Sequence, residues 1–481
     1  MNYFSKGYSY DDILIKPRLS IVKSRSEIKL DTKISKNVSL KIPIISSNMD
    51  TVTEDKMAIS LALLGGMGII HRYNSIDEQV KMVRNVKRHS NFYIDKPITI
   101  NMYDTLNTYY KLVEEHNVKT LIVVNDMNEF MGIVNKYNID INSMTDKKTI
   151  IKDIMSDKKF YHTINKENIT RDYNKYITLM KNNNTNYLPV LDNNIVVGLI
   201  TLKDLLFYAN EKNNANLDDE GNLMVGAAVG VNGDYLERAK ALINAGVDVL
   251  VIDIAHGHSI LVPPVIANIK KIKNIDVIAG NVATKEGVEY LAKAGADGIK
   301  VNIGAGSICT TRIVTGCGVP QFSAVMECCI EATKYNIPII ADGGHCGKIG
   351  SLVKALSTGA SCCMLGKSLA GTIESPGNII MRNNKKYKIV RGMAGYISNI
   401  NKDRKMGNKV KSKFTPEGVE GYIAFKGSIK DIIFQMIGGI RSGLSYCGVK
   451  SIIDLHKTKI EYSIITNSGI MESKNHGINL L

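Results

Sequence analysis

The sequence predicts an α/β protein, a closed barrel of eight parallel strands with a smaller domain inserted into the chain. Short apolar segments alternate with longer segments of helical apolar spacing over most of its length, as in a parallel sheet covered by helices. Three predicted helices end in a glycine that directly precedes an apolar strand, at Gly246, Gly295 and Gly359. Glycine at a helix C-terminus is the αβ turn of a repeating fold. An open doubly wound sheet shares this pattern, but about eight predicted strands favour a (β/α)8 TIM barrel.

Each strand of the predicted barrel is a short buried run that ends at polar residues or glycine. The first two strands flank a helix at Asp55–Leu64, which stops at Gly65-Gly66. Strands are predicted at Lys41–Ser46, Met67–Ile70, Val225–Gly230, Val247–Ala255, Asp276–Val282, from Gly298, Ile337–Gly344 and Ser361–Gly366. Further helices are predicted at Tyr235–Ala245, Lys285–Ala294, Ser323–Lys334 and Lys348–Leu356.

The alternation of strands and helices stops after Arg88 and returns from Leu223. Residues 91–210 are rich in Asn, Asp and Lys and contain two similar pieces, Thr120–Asn138 and Tyr187–Leu205. Each has a β-branched strand, an Asn/Asp turn, a second strand with a glycine and a polar helix start, which indicates an internal repeat. We therefore expect residues 1–90 to begin the barrel, 91–210 to form an inserted domain, and 211–481 to complete the barrel with its active-site loops.

Composition narrows the possible classes of protein. The chain has 481 residues, 44% hydrophobic and 22% charged, which suffices for two or three domains. No apolar run reaches the roughly 18 residues of a membrane span. The residues from Met1 do not resemble a secretory leader, and the eight cysteines form no disulfide or zinc pattern, so we expect no leader and a cytoplasmic protein. The net charge of +15 comes from scattered lysines and arginines, which favours small anionic substrates over nucleic acid.

The most informative stretch is Lys300–Arg312, where a buried strand runs into a glycine-rich turn. Gly304 and Gly306 break the apolar pattern and let the backbone approach a ligand closely. The loop then carries one thiol, Cys309, among hydroxyl side chains, which combines a nucleophile with groups that handle protons. A buried structural cysteine is the alternative. Polar residues and glycines at many other strand ends favour catalysis, because barrel enzymes have their active sites there.

Several phrases of the sequence closely resemble the IMP dehydrogenase and GMP reductase family. They are SSNMDTVTE, GIIHR, GAAVGV, DIAHGHS, AGNVAT, GAGSICTTRIVTGCGVPQ, IADGG, LAGTIESPG, RGMAG and PEGVEG, of which the Cys309 phrase is highly specific. The resemblance covers nearly the whole chain. It implies a homotetramer of (β/α)8 barrels, with an octamer as the alternative. It also implies a purine nucleoside monophosphate (GMP or IMP) as substrate, NADPH or NAD as cofactor, and a bound potassium ion.

The resemblance implies catalytic roles for four residues. Cys309 would attack C2 of the purine and form a covalent adduct, which suits the nucleophilicity of a thiolate. Thr311 and Glu417 would pass a proton near that adduct, although a solvated loop carboxylate is the alternative for Glu417. Arg404 would be the fourth catalytic residue, on the segment that corresponds to the mobile flap of the family.

Binding roles follow from the same resemblance. A carboxylate, Asp342, would accept hydrogen bonds from the ribose hydroxyls, and loop amides would hold the phosphate. The implied substrate-binding residues are Ser47, Met49, Asn281, Lys300, Ser307, Asp342, Gly344, Gly366, Gly392, Met393 and Glu417. The implied cofactor contacts are Asp253, Asn302 and Gly304, and the implied potassium ligands are the backbone carbonyls of Gly304, Gly306 and Cys309.

The direction of the reaction depends on few positions. Dehydrogenases of this family activate water with an Arg-Tyr pair on a flap, whereas Asn399–Thr415 offers Arg404 and Lys405 without a tyrosine. Asn48 also resembles reductases, but His256-Gly257-His258 resembles dehydrogenases. We therefore expect a GMP reductase, with an IMP dehydrogenase as the alternative. A non-catalytic nucleotide sensor is the remote third interpretation, and the intact cysteine loop argues against it.

Two residues depart from the family pattern in the barrel. Asn302 occupies a position that is usually glycine, and Val390 replaces an aromatic residue at the nucleotide base.

The repeat in residues 91–210 resembles a tandem CBS (Bateman) module, which often binds adenine nucleotides. In such modules a Thr and an Asp after the second strand contact the ribose, and Thr201 and Asp204 match them in the second copy. Asn135 and Asn138 stand at those positions in the first copy. The resemblance therefore implies a regulatory domain whose effector is an adenine or guanine nucleotide.

Overall fold

Eight parallel strands close into a barrel in the computed structural model, which describes residues 5–89, 93–95, 97–116, 118–136, 139, 148–170, 172–211, 213–345, 347–396, 398, 400 and 415–474. In chain order the strands are β1 Ile44–Ser46, β2 Met67–Ile70, β3 Val225–Val229, β4 Val249–Ile252, β5 Asp276–Val282, β6 Gly298–Val301, β7 Ile339–Asp342 and β8 Cys362–Leu365. Each strand pairs with the next, β8 pairs with β1, and β2 pairs with β3. The predicted TIM barrel is therefore confirmed, and the open sheet is wrong.

One main helix follows each barrel strand. These helices are α1 Asp55–Leu63, α2 Ile76–Arg88, α3 Tyr235–Asn244, α4 Val262–Ile272, α5 Lys285–Lys293, α6 Gln321–Ala332, α7 Ile349–Ser357 and α8 Ile429–Tyr446. Shorter helices lie at Thr311–Thr315, Ile452–Lys457 and Asn467–Glu472. Within the described ranges, no helix is both long and apolar enough to cross a membrane.

The three helix-ending glycines adopt the conformation that the αβ turn requires. Gly246, Gly295 and Gly359 have φ angles of 90°, 91° and 107°. Residues with a Cβ rarely adopt this left-handed conformation, so glycine ends the helix and turns the chain into the next strand. The predicted turn is confirmed at all three positions.

Strand side chains alternate between the barrel interior and the layer beneath the helices. Ile45 of β1 belongs to the interior cluster, whereas the adjacent Ile44 packs in the outer layer. A hairpin of Thr32–Lys33 and Ser39–Leu40 adds Leu40 and two neighbours to the interior cluster. It crosses the amino-terminal ends of the strands, where Ser35 and Asn37 bond to Asp276 at the start of β5. The hairpin thus covers the end of the barrel opposite the carboxyl ends of the strands.

Two small sheets lie outside the barrel. Ile13–Ile15 pairs with Tyr462–Ile464. A three-stranded sheet of Ile380–Arg382, Lys385–Arg391 and Glu420–Ala424 precedes α8. In this second sheet, Lys385–Arg391 directly precedes the turn at Gly392, and Glu420–Ala424 begins three residues after Glu417.

The inserted segment forms its own compact unit, residues 88–213, while residues 1–87 and 214–481 form the other unit. The insert has two four-stranded sheets with the same strand order and pairing directions. Each contains an antiparallel pair with a bulge, Thr120–Val124 with Phe130–Asn135 and Tyr187–Asp192 with Ile195–Thr201. The outer strands are Thr99–Asn101 and Ser156–Asp157 in the first sheet, Ile164–Asn165 and Tyr93–Asp95 in the second. The helices of this unit are Leu106–His116, Ile151–Ile154, Tyr173–Asn182 and Leu202–Glu211.

An ion-pair cluster joins the two points at which the barrel chain is interrupted. Lys87, at the end of α2, lies 3.0 Å from Asp218 and 2.6 Å from Asp248. All three side chains are at least four-fifths buried, and a buried ion pair that keeps both partners holds its geometry. The barrel therefore has its own contact between the segments that flank the insert.

We predict that replacing residues 91–210 with a short flexible linker leaves the barrel folded. The barrel unit has its own continuous core, and the Lys87 cluster keeps the two linker ends close together. Circular dichroism and thermal unfolding of the shortened protein would check this, with Lys87→Ala in the same background as the comparison. A shortened protein that does not fold would show that the expected boundaries at 90 and 211 are wrong.

Candidate active site

The loop after β6 brings a thiol, a hydroxyl and a carboxylate into one chain of hydrogen bonds. Cys309 is half-buried, and its Sγ donates to Thr311 Oγ1 at 3.1 Å. The same hydroxyl donates to Glu417 Oε2 at 2.8 Å. A proton of the thiol therefore has a path of two hydrogen bonds to a carboxylate.

Glu417 reaches this loop because the two backbones run side by side. Thr310 N donates to the Glu417 carbonyl at 2.9 Å, and Val419 N donates to the Ile308 carbonyl at 3.0 Å. Cys309 and Gly418 form an antiparallel bridge between these two bonds. The solvated-loop alternative for Glu417 is therefore wrong, because its carboxylate accepts the Thr311 hydroxyl.

Glycine is required where a third segment crosses this pair of backbones. A Cβ on Gly418 would lie 3.2 Å from the Cα of Gly392 and 3.2 Å from the nitrogen of Gly395. A Cβ on Gly392 would lie 3.1 Å from the Ile308 carbonyl oxygen. The RGMAG and PEGVEG phrases thus have a steric reason for their glycines, since a Cβ there would force the neighbouring backbone to shift by a few tenths of an ångström.

Asp342, at the end of β7, is fixed by two neighbouring strands. Its Oδ2 accepts from Asn281 Nδ2 at 2.9 Å and from Lys300 Nζ at 3.1 Å. Lys300 is only 4% exposed, so its charge needs this partner. The carboxylate is thereby held in one orientation at the carboxyl end of the barrel, where a pair of hydroxyls could donate to it.

These groups line a cleft of about 460 Å³ at the carboxyl ends of the strands. The predicted site residues that line it are Ser47, Met49, Asp253, Asn281, Lys300, Asn302, Gly304, Gly306, Cys309, Thr311, Asp342, Gly392, Met393 and Glu417. Arg404 and Lys405 lie outside the described residues.

The remaining predicted residues, Ser307, Gly344 and Gly366, line a smaller pocket of about 110 Å³. This pocket and the cleft share Ser47 and Asp342 among their lining residues. Gly343 and Gly344 both have positive φ, 74° and 75°, and consecutive turns of this kind direct backbone N–H groups toward an anion. The smaller pocket therefore suits a phosphate joined to a ligand in the cleft.

His345 lines the smaller pocket without adding a charge to it. Its ring is 4% exposed and stacks on Tyr10 at 5.3 Å. Burial lowers the pKa of His345 to about 4, although a hydrogen bond to the Ala341 carbonyl opposes the shift. The ring is therefore neutral near pH 7, and the anion would be held by backbone amides.

The sequence did not single out Arg72 and Tyr73, which also line the cleft. Arg72 Nε donates to Asp253 Oδ2 at 2.8 Å, and the Tyr73 hydroxyl donates to the Met393 carbonyl at 2.9 Å. Burial acts to lower the pKa of Arg72, but Asp253, Tyr73 and Asp234 together outweigh it and the pKa is raised. Both residues directly follow β2, so the strand-end rule that identified the other positions would have found them.

A potassium ion held by backbone carbonyls is compatible with the loop. In the part of the chain that the structure describes, no group of three or more His, Cys, Asp or Glu is arranged to hold a metal. Carbonyl oxygens suit potassium. The Gly306 carbonyl already accepts from Cys309 N at 3.1 Å, which leaves it a second lone pair. Gly304, Gly306 and Cys309 therefore stay the predicted ligands.

Asp253 likewise fits a contact with a nicotinamide ribose. One of its oxygens is taken by Arg72, and the carboxylate borders the cleft beside Ile254 and Ala255. The other oxygen could accept a ribose hydroxyl. Asn302 fits less well as a cofactor contact, because its amide is engaged on both sides, to the Asp342 carbonyl and to Ala305 N.

Fold and cleft define the class as a (β/α)8 barrel protein with a cysteine-bearing, glycine-lined cleft at the carboxyl ends of its strands. The family model for the IMP dehydrogenase / GMP reductase domain matches residues 7–476. The chain belongs to this family, whose members are oxidoreductases of purine nucleotides that use NAD(P).

Relatives of both activities are equally similar to the chain. Inosine-5'-monophosphate dehydrogenase of Nitrosopumilus maritimus is 40% identical, over 99% of this chain and 100% of the relative. GMP reductase of Leishmania donovani is 41% identical, over 99% and 98%. A Cys-to-Ala GMP reductase from Trypanosoma brucei, solved with guanosine 5'-monophosphate, has a TM-score of 0.91 and 39% identity, with 99% of each chain covered. Identity alone therefore does not choose a direction.

We predict that Gly418→Ala lowers turnover of a purine nucleotide about tenfold, since misplacing a reacting group by about 1 Å can cost 10²-fold in rate. The new methyl group would meet two backbone atoms of the 392–395 segment at 3.2 Å and shift Glu417 relative to Thr311. Gly421→Ala is the matched control, because its Cβ would have nothing within 4 Å. Steady-state assays of both variants check this, and equal activity of the two would contradict it.

Proposed function

We propose that this protein is a GMP reductase that converts GMP and NADPH to IMP, ammonia and NADP through a covalent adduct on Cys309. The carrying observation is the hydrogen-bond chain from Cys309 through Thr311 to Glu417. This chain removes a proton from the nucleophile and stores it beside the position where an amine must leave.

The first half of the reaction uses that stored proton. Cys309 Sγ forms a bond to C2 of GMP while its proton passes through the Thr311 hydroxyl to Glu417. The C2–N bond then breaks, and the amino group takes the proton from Glu417 and departs as ammonia. The purine is left bound to sulfur with no net gain or loss of protons.

The second half requires a hydride at C2, which NADPH supplies when it is bound. Cys309 then leaves as a thiolate, the S–C2 bond breaks, and IMP is released. The thiolate regains one proton from solvent, so one hydride and one proton are consumed for each ammonia.

The nucleotide is held by groups that do not react. Asp342 would accept the two ribose hydroxyls, while Lys300 and Asn281 keep its carboxylate in place. Amides of Ser307, Gly344 and Gly366 would hold the phosphate in the smaller pocket. Binding energy from these remote contacts aligns C2 with the thiol.

The flap sequence supports the reductase direction. Hydrolysis of the adduct would need a base, and Lys405 follows Arg404 where dehydrogenases of this family have tyrosine. A lysine accepts a proton only if burial or a neighbouring cation lowers its pKa toward neutrality. A lysine in a stretch as basic as 401–414 is expected to be protonated. Ammonia release needs only a proton donor, which Thr311 and Glu417 supply.

IMP dehydrogenase is the second candidate, and two observations favour it. The Nitrosopumilus relative of 40% identity is a dehydrogenase, and His256-Gly257-His258 resembles that branch. In that case the same adduct would be reached by hydride loss from IMP to NAD and resolved by water.

The inserted unit is proposed to be a regulatory tandem CBS module that binds an adenine or guanine nucleotide. In its second half the Thr201 hydroxyl donates to Asp204 at 2.6 Å, and Asp204 N donates to the Thr201 oxygen at 3.1 Å. This pair is preorganised where a ribose would bind. A homotetramer in the cytoplasm, with potassium at the cysteine loop, completes the proposal.

We predict that Cys309→Ala abolishes turnover while GMP binding survives, because the ribose and phosphate contacts remain. Thr311→Val should reduce turnover about 10²–10⁴-fold, the usual range for lost acid–base help. Thr311→Ser, which keeps the hydroxyl, should stay within about tenfold of the original rate. Turnover is followed by nicotinamide absorbance and binding by equilibrium dialysis, and normal turnover of Cys309→Ala would exclude it as the nucleophile.

We also predict that GMP with NADPH gives IMP faster than IMP with NAD gives XMP. Lys405→Tyr should raise any dehydrogenase activity, because a tyrosine beside Arg404 restores the family's base. Lys405→Ala should barely change the reductase rate and is the matched control. Brisk XMP formation by the unmodified protein, lost on changing Arg404 or Lys405, would overturn the reductase assignment.

A further inference from the structure

We propose that Asn302 is a positioning residue that sets the distance between the nucleophile loop and the ribose-binding carboxylate. This inference rests on the proposed function, because it concerns how Cys309 is aligned with a nucleotide held at Asp342. It replaces the cofactor contact expected for this residue from its place in the sequence.

Asn302 connects three strand ends through three separate hydrogen bonds. Its backbone N–H donates to the Val282 carbonyl at the end of β5, at 3.0 Å. Its side-chain Nδ2 donates to the backbone carbonyl of Asp342 at the end of β7. Its side-chain Oδ1 accepts from Ala305 N at 2.8 Å. One half-buried side chain thus holds both β7 and the first turn of the cysteine loop.

The bond to Ala305 fixes the shape of the loop. It spans three residues, as Asn side chains do when they close a turn against their own backbone. The enclosed Gly304 has φ of 78°, so the turn has a sharply defined course. A glycine at position 302 would lack this bond, and the Ala305 N–H would have no side-chain acceptor from that position.

The bond to Asp342 fixes where the loop lies relative to the ribose site. A Cβ on Gly343 would lie only 3.3 Å from Asn302 Nδ2, so the amide packs closely against the backbone that carries Asp342. Asn302 and Asp342 border both the cleft and the smaller pocket. The amide therefore lies at the junction between the nucleoside end and the phosphate end.

Loss of the Asn302 side chain should lower the catalytic rate more than it lowers the affinity for the nucleotide. Asp342 is also held by Asn281 and Lys300, so ribose binding survives the loss of Asn302. Asn302 ties the first turn of the cysteine loop to β7 through its bonds to Ala305 and Asp342, and the Cys309 thiol must meet C2 within a few tenths of an ångström. Misplacement by about 1 Å costs roughly 10²-fold in rate.

The test compares Asn302→Ala, Asn302→Ser and the control Asn268→Ala. Asn268 donates one side-chain hydrogen bond at 2.9 Å, to Tyr235 on α3, away from the cleft. We expect kcat of Asn302→Ala to fall about 10–100-fold while KM for the nucleotide changes less than about threefold. Asn302→Ser should recover part of kcat, because its hydroxyl can accept from Ala305 N. Asn268→Ala should stay within about twofold.

A second readout does not depend on turnover. Saturating GMP or IMP, whichever binds, should protect Cys309 from iodoacetamide in the unmodified protein, measured by mass spectrometry on the tryptic peptide 301–312. In Asn302→Ala the nucleotide should still bind, as checked by dialysis, but protect Cys309 several-fold less.

The outcomes separate this inference from the proposed function. Unchanged kcat and full protection of Cys309 in Asn302→Ala would overturn the positioning role. An equal loss of kcat in Asn268→Ala would also overturn it, as would a protein that binds neither GMP nor IMP. A different pair of results would overturn the proposed function and leave the positioning role supported. In that case the unmodified protein reacts in neither direction, yet nucleotide protects its Cys309 from iodoacetamide and fails to protect Cys309 in Asn302→Ala.

Discussion

The hydrogen bond between Thr311 and Glu417 joins residues 106 positions apart in the chain, and the cleft depends on it. It forms only because the cysteine loop, the Gly418 segment and the Gly392 turn approach one another at backbone distance. A Cβ on Gly418 or Gly392 would lie about 3.1–3.2 Å from backbone atoms of the neighbouring segment and would force a small shift there. The close approach of the three backbones thus places the side chains of Cys309, Thr311 and Glu417.

The opposite wall of the cleft depends on a buried charge pair. Lys300 is 4% exposed, and its ammonium group meets Asp342 at 3.1 Å. A buried charge without its partner is costly, so each of the two residues keeps the other in place. Because Asp342 also carries the amide contact from Asn302, this carboxylate and the Cys309 loop belong to one connected network across β5, β6 and β7.

The barrel and most of the cleft could be predicted from the sequence, because both follow from local patterns. Buried runs and helix-ending glycines such as Gly246 locate the strands, and polar residues at strand ends locate the site. Glu417 could not be placed in this way, because its segment has no periodicity and its role came only from the family resemblance. Pairings across strands, such as Arg72 with Asp253, were missed because they depend on which strands become neighbours when the barrel closes.

The contacts of Asn302 could not be predicted from the sequence either. The sequence marks it as a departure from the family and its position suggested a cofactor contact, but its partners are the Asp342 carbonyl and the Ala305 amide. Neither partner can be read from residue type, because both are backbone groups. The direction of the reaction has the same character, since Arg404 and Lys405, on which the family resemblance makes it depend most, lie outside the described residues.

Displacement of the amino group of GMP by Cys309 can be tested most directly through the mass of the peptide that contains this residue. The protein is incubated with GMP and NADP, which cannot supply hydride, and the mass of the Cys309 peptide is measured after rapid acid quench and digestion. If Cys309 is the nucleophile, the peptide is heavier by GMP minus ammonia, ammonia is released, and Cys309→Ala shows no such change. An unmodified Cys309 peptide in a protein that still converts GMP to IMP would contradict it.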